Sequence, residues 1–135
     1  MSFYIASRFR NKEKVRELRD SLYQRNIECL CSWVDELPGC SPEEAAVRDL
    51  TEIRKVSGVI VLTEDCDLVP GGMHFEAGYA FGLEKTVVCV GPQVNIFYTL
   101  SEIFWYVTIA EFLTALDVKP YGWPFETKIR KEGFR

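Results

Sequence analysis

The chain has 135 residues, 47% hydrophobic and 27% charged, with a formal net charge of -4. That length suits one domain over residues 1–135 with a single core, and the acidic balance argues against polymeric nucleic acid or an anionic membrane as the main partner. No apolar run is long enough for a membrane span, and Met1-Ser2-Phe3-Tyr4 carries neither the basic flank nor the apolar stretch of a signal peptide.

Phe3 to Ser7 reads as a strand, followed by a charged amphipathic helix over Asn11 to Arg25 with Val15, Leu18 and Leu22 on one stripe. Ile27 to Val34 reads as a second strand. Ser41-Pro42-Glu43-Glu44 carries the marks of a helix start, a serine cap and a proline at the first position. That helix runs to about Val56, with Ala46, Leu50, Ile53 and Val56 on one face and Glu44, Arg48, Glu52 and Lys55 pointing away. Asp49 falls inside the apolar arc. Gly58 to Leu62 is an apolar, β-branched run of the kind buried on both faces of a sheet.

Gly71 and Gly72 then open a helix in which Met73, Ala77, Ala80, Phe81 and Leu83 share a face, with Glu76 among them. Placed in the first turn, near free amides and the positive end of the dipole, Glu76 is expected to stay ionised. A strand over Thr86 to Val90 ends at Gly91-Pro92. A short helical segment near Ile96 to Ser101, a strand near Trp105 to Thr108 and a helix over Glu111 to Leu116 complete the chain.

Strands alternating with helices imply parallel βαβ units. The expected fold is α/β: a three-layer α/β/α sandwich on a five-stranded parallel sheet, with the flavodoxin-like order 2-1-3-4-5. Ligands in such sheets bind beyond the carboxyl ends of the strands, where residues 6–10, 63–76 and 91–96 would meet. The five cysteines, at 29, 31, 40, 66 and 89, lack paired or metal-binding spacing, and His74 is the single histidine. A reducing cytoplasm and no metal are expected.

Two carboxylates on apolar helix faces are the candidates for chemistry, although spacing alone favours reading Asp49 as a capped or water-bonded acid at a helix–sheet seam. Glu76 beside open glycines suits a nucleophile, and burial of Asp49 near a second acid would raise its pKa, as a general acid requires. The Tyr4 hydroxyl lies at the carboxyl edge of the first strand, in plausible reach of Glu76. Ala6-Ser7-Arg8 lacks the acidic pair of a response-regulator receiver and the phosphate loop of a flavodoxin.

Tyr4-Ile5-Ala6-Ser7, Arg48-Asp49-Leu50 with Ile53, the block Gly72-Met73-His74-Phe75-Glu76-Ala77-Gly78-Tyr79-Ala80, and Gly91-Pro92 with Asn95-Ile96-Phe97 resemble the nucleoside 2-deoxyribosyltransferase family, including its deoxynucleoside-monophosphate N-hydrolase relatives. The resemblance spans most of residues 3–98. It implies that Glu76 attacks C1′ of a (deoxy)nucleoside to form a glycosyl ester, that Asp49 protonates the leaving base and that Tyr4 positions Glu76. The sugar then passes to another base or to water, as in retaining glycosidases. It places Ala6, Ser7, Arg8, Arg10, Asp67, Gly71, Gly72, Met73 and Asn95 around the substrate, with Arg8 and Arg10 suited to a 5′-phosphate. No cofactor is implied.

The register around Asp67 departs from the family pattern, as does the basic tail Lys128 to Arg135. A TIR-like NAD hydrolase and a non-catalytic nucleotide-binding module are the competing classes. The aromatic-rich segments Ile96 to Tyr106 and Tyr121 to Phe125 lead us to expect a homo-oligomer.

Overall fold

The computed structural model describes residues 1–35, 39–64 and 71–118. Five strands, β1 (Ser2–Ala6), β2 (Glu28–Cys29), β3 (Gly58–Leu62), β4 (Thr86–Val90) and β5 (Phe104–Tyr106), form one parallel sheet in the order β2-β1-β3-β4-β5. Four helices flank it: α1 (Lys12–Tyr23), α2 (Pro42–Lys55), α3 (Gly72–Gly82) and α4 (Ile109–Val118). The fold class and the strand order agree with the sequence reading.

The central strands explain why the sheet forms. β1, β3 and β4 carry Phe3, Ile5, Val59, Ile60, Val61 and Val88, all buried, and such runs are stable only when both faces are covered. α2 and α3 pack against one another, and the turn after α1 is joined to α4 by a two-pronged Arg25–Asp117 ion pair of 2.7 and 2.9 Å. The chain steps from β1 outward to β2, then back past β1 to β3 and onward, so the order reverses between β1 and β3. Ligand crevices open at such a reversal.

Local signals hold α2 in place. The Ser41 side chain accepts from the Glu44 backbone N–H at 3.1 Å, and Lys85 Nζ donates to the Val56 carbonyl at 2.7 Å beyond the helix end. Gly91 has φ +118, and a Cβ there would come within 2.6 Å of both Glu64 N and Thr63 Oγ1. Thr63 Oγ1 in turn donates to the Pro92 carbonyl at 2.7 Å. This contact knits the ends of β3 and β4 into a fixed floor.

Several expected elements differ. The second strand, expected over 27–34, is limited to Glu28–Cys29, and Ser32–Asp35 forms a 3₁₀ turn. Cys31 therefore lies outside any strand. The turn carries Trp33 over the sheet end, where its indole N–H donates to the Ile5 carbonyl at 2.8 Å; alternating buried side chains mimicked a strand. α1 starts one residue late, behind a 3₁₀ turn at Phe9–Asn11. β5 spans 104–106 rather than 105–108. α4 starts two residues early because Thr108 caps it: Thr108 Oγ1 accepts from Glu111 N at 3.1 Å, and Glu111 Oε2 reaches back to accept from Val107 N at 3.0 Å. Ala46 and Leu83, both assigned to buried faces, are exposed.

Among the described residues, no helix is long and apolar enough to cross a membrane. Burial raises the thiol pKa of Cys29, and brings those of Cys31 and Cys89 to about 11. Cys66, Tyr121 to Phe125 and the basic tail lie outside the described residues.

Candidate active site

At the carboxyl end of β1 a cleft of about 340 Å³ is lined by Tyr4, Asp49 and Glu76, with Trp33, Phe9 and Phe75 among its walls. Three separate elements supply the three polar groups. Alternation along β1 turns the buried Tyr4 toward α3, where its hydroxyl donates to Glu76 Oε2 at 2.6 Å. α2 presents Asp49, half-buried and paired with Arg48 through Nη2 at 3.1 Å and Nε at 3.3 Å. Arg48, expected to point away, folds back onto this acid.

The expectation that Glu76 remains ionised is corrected. α3 begins at Gly72, so Glu76 lies beyond the first turn, where the free amides and the dipole are no longer at hand. Burial pushes its carboxyl up to about 7, the Tyr4 hydrogen bond opposing and the charges of Asp49 and Glu52 reinforcing the rise. The Tyr4 hydroxyl is driven far above its usual range by burial first and by Glu76 second. Tyr4 is therefore a neutral donor throughout the accessible pH range, and the carboxylate form of Glu76 becomes the majority only above about pH 7.

This shift has a stability consequence. Below Glu76's ordinary value of 4.5 the proton is held in both folded and unfolded chains. Between 4.5 and about 7 the unfolded chain releases it while the folded chain keeps it, so stability falls as pH rises through that window. Glu76→Gln retains an acceptor for Tyr4 and removes the penalty. At pH 8 it is expected to stabilise the protein by about 2 kcal/mol, discounted for partial exposure, raising Tm by roughly 5–10 °C. At pH 3.5, below both titrations, the two melting curves should coincide. Equal Tm values at pH 8 would contradict a proton-retaining Glu76.

The remaining candidates divide. Ser7 lines the cleft and donates from Oγ to the Leu62 carbonyl at 2.8 Å; Gly72 and the buried Met73 line it too. A Cβ at Gly72 would meet nothing within 4 Å, which leaves the helix start open to a ligand. Ala6 is buried at the end of β1. Arg8 is half-buried and Arg10 exposed at the adjoining 3₁₀ turn. Gly71 and Asn95 line a second, apolar cavity of about 870 Å³ on another side of α3, and the Asn95 side chain accepts from Phe97 N at 3.0 Å. Asp67 lies outside the described residues.

Sequence reasoning missed the aromatic wall and one carboxylate. Phe9 and Trp33 sit with ring centroids 6.4 Å apart; their signal, two large aromatics just after β1 and β2, was hidden by the arginines around Phe9 and by the strand assigned to Trp33. Glu52, expected to point away, is buried and accepts from Ser32 N at 3.1 Å. Among the described residues no cluster of His, Cys, Asp and Glu could hold a metal ion.

No protein-family model matches the chain, and no curated protein does. Among solved structures it is similar to a Clostridium botulinum CMP N-glycosidase, BcmB, with a TM-score of 0.66 at 18% identity, over 87% of this chain and 99% of that one. The likeness is one of fold.

Proposed function

We propose that the protein cleaves the N-glycosidic bond of (deoxy)nucleosides or their 5′-monophosphates. The observation that carries this reading is the 2.6 Å hydrogen bond from Tyr4 to Glu76 inside a cleft shared with Asp49. The bond leaves Oε1 of Glu76 available for attack on C1′ while Tyr4 holds the carboxyl in one rotamer. Asp49, on the neighbouring helix, is the group that gives the departing base its proton. The displaced base leaves with that proton, and the glycosyl ester on Glu76 is then opened by water or by a second base, whose proton passes to Asp49 and restores it. Arg8 and Arg10, beside the same strand end, supply charge for a 5′-phosphate. The fold shared with a CMP N-glycosidase supports a nucleotide as the first substrate to try.

The test is a panel of nucleosides and monophosphates, incubated with and without free adenine and read by chromatography. Base release signals a hydrolase and base exchange a transferase; neither, on any substrate, removes the proposal.

The same reading includes self-association. Phe75, Ile96 and Phe97 are 69%, 75% and 65% exposed, more large apolar side chain than one face of a monomer usually shows. Light scattering at micromolar concentration is expected to give at least a dimer mass; a monomer mass would contradict this part.

A further inference from the structure

Glu52 is a buried charge that the chemistry above leaves unused. It lies one turn beyond Asp49 on α2, 8% exposed, and its Oε1 accepts from the Ser32 backbone N–H at 3.1 Å. A carboxylate this deep carries a desolvation cost, and an apolar side chain of similar size would fill the seam without it. What Glu52 holds is the start of the 3₁₀ turn Ser32–Asp35. The rest of that turn is gripped from two other elements. Trp33 donates to the Ile5 carbonyl of β1 at 2.8 Å, and Arg19 of α1 binds Asp35 at 2.7 Å. Arg16, also of α1, donates to the Val34 carbonyl. Glu52 is thus the tie between this turn and the helix that carries Asp49.

We propose that Glu52 is a positioning residue: by clasping Ser32 it fixes the aromatic wall of Trp33 and Phe9 against α2, and so sets where the planar base of a nucleotide lies relative to Asp49. The inference rests on the nucleotide reading of the cleft, and it adds a role that the Tyr4, Asp49 and Glu76 set does not contain. The charge of Glu52 has a second effect. Among the described residues, the titratable groups acting on Glu76 are Tyr4 from β1 and Asp49 and Glu52 from α2, with Arg48 joined to Asp49. Removing the charge of Glu52 favours the ionised form of Glu76.

Two variants of the full chain separate these effects. Glu52→Gln keeps an acceptor oxygen for Ser32 and loses the charge, whereas Glu52→Ala loses both. Three quantities are read: the Trp33 indole N–H resonance, the ¹³C NMR titration of the Glu76 carboxyl, and the affinity for cytidine 5′-monophosphate by calorimetry. In Glu52→Gln the indole resonance should stay in place, the affinity should hold within about twofold, and the Glu76 midpoint should fall. In Glu52→Ala the indole resonance should shift and the nucleotide should bind about fivefold more weakly, the worth of one buried hydrogen bond, with KM rising more than kcat falls.

An indole resonance unmoved in a folded Glu52→Ala, or displaced in Glu52→Gln, overturns the inference. If Glu52→Ala does not fold, Glu52→Gln decides it: a displaced indole resonance, or a loss of nucleotide affinity well beyond twofold, overturns the inference. A native protein that neither binds nor cleaves any nucleotide defeats the functional reading instead, while the two NMR readouts still judge the role of Glu52.

Discussion

Glu76→Ala is expected to abolish base release while nucleotide binding stays within a few-fold of native. The reason lies in what the carboxyl touches. Glu76 meets Tyr4 through Oε2 at 2.6 Å and lines the cleft, so its removal opens space rather than closing it, and the Ser7, Trp33 and Phe9 walls remain. A group that forms a bond to the substrate acts in the chemical step, and its loss falls on kcat by about 10⁴-fold or more. The native protein should gain activity as pH rises through about 7, where burial places the Glu76 titration, because only the carboxylate can attack, and should lose it at higher pH, where Asp49 no longer carries the proton it donates. A 2-fluoro-2-deoxy nucleoside analogue should leave its sugar mass on the peptide containing Glu76. Near-native turnover in Glu76→Ala, or the label on another peptide, would sink the covalent mechanism.

Asp49→Asn should reveal its role through the leaving group rather than through the size of the loss alone. On a natural base, which departs poorly without a proton, the rate is expected to fall by about 10²–10³-fold. With an activated leaving group that departs as a stable anion, the loss should shrink to less than about tenfold, since proton donation no longer limits the step. Asparagine keeps an oxygen for Arg48, whose guanidinium reaches Asp49 Oδ1 at 3.1 Å, so the helix and the cleft should survive. Equal losses on both substrates would remove Asp49 from the acid role and leave it to hold Arg48.

Much of this architecture was legible because local and tertiary demands agree along it. Gly58–Leu62 and Thr86–Val90 are short apolar runs that make sense only as buried parallel strands. Ser41-Pro42 marks a helix start without help from the rest of the chain. The readings that failed depend on partners distant in sequence. Cys29, Cys31 and Trp33 alternate as a strand does, yet the chain bends so that Trp33 can reach Ile5, 28 residues away. Glu52 reads as an outward charge from helical periodicity, and a backbone amide 20 residues away makes its burial tolerable. For Glu76 the helix face was readable, but its ionisation was not. That depends on how deep the residue sits beyond the first turn, and here burial outweighs the dipole. The register of Asp67 falls outside the described residues.

The all-parallel pairing of the sheet also governs how the protein comes into being. Parallel neighbours cannot be joined by a hairpin, so every strand pair waits on a crossover. Tyr4 and Glu76 are 72 residues apart in sequence, and Arg25 and Asp117 are 92 apart. Loop-closure entropy must be met before any of these contacts rewards the chain, which slows refolding relative to a helical bundle of equal length. Until β1 docks beside β3, the edges of the central strands stand unpaired and prone to self-association. Only when α3 also packs over β1 does the Tyr4 hydroxyl meet Glu76, so this hydrogen bond forms no earlier than the closing of the central strands.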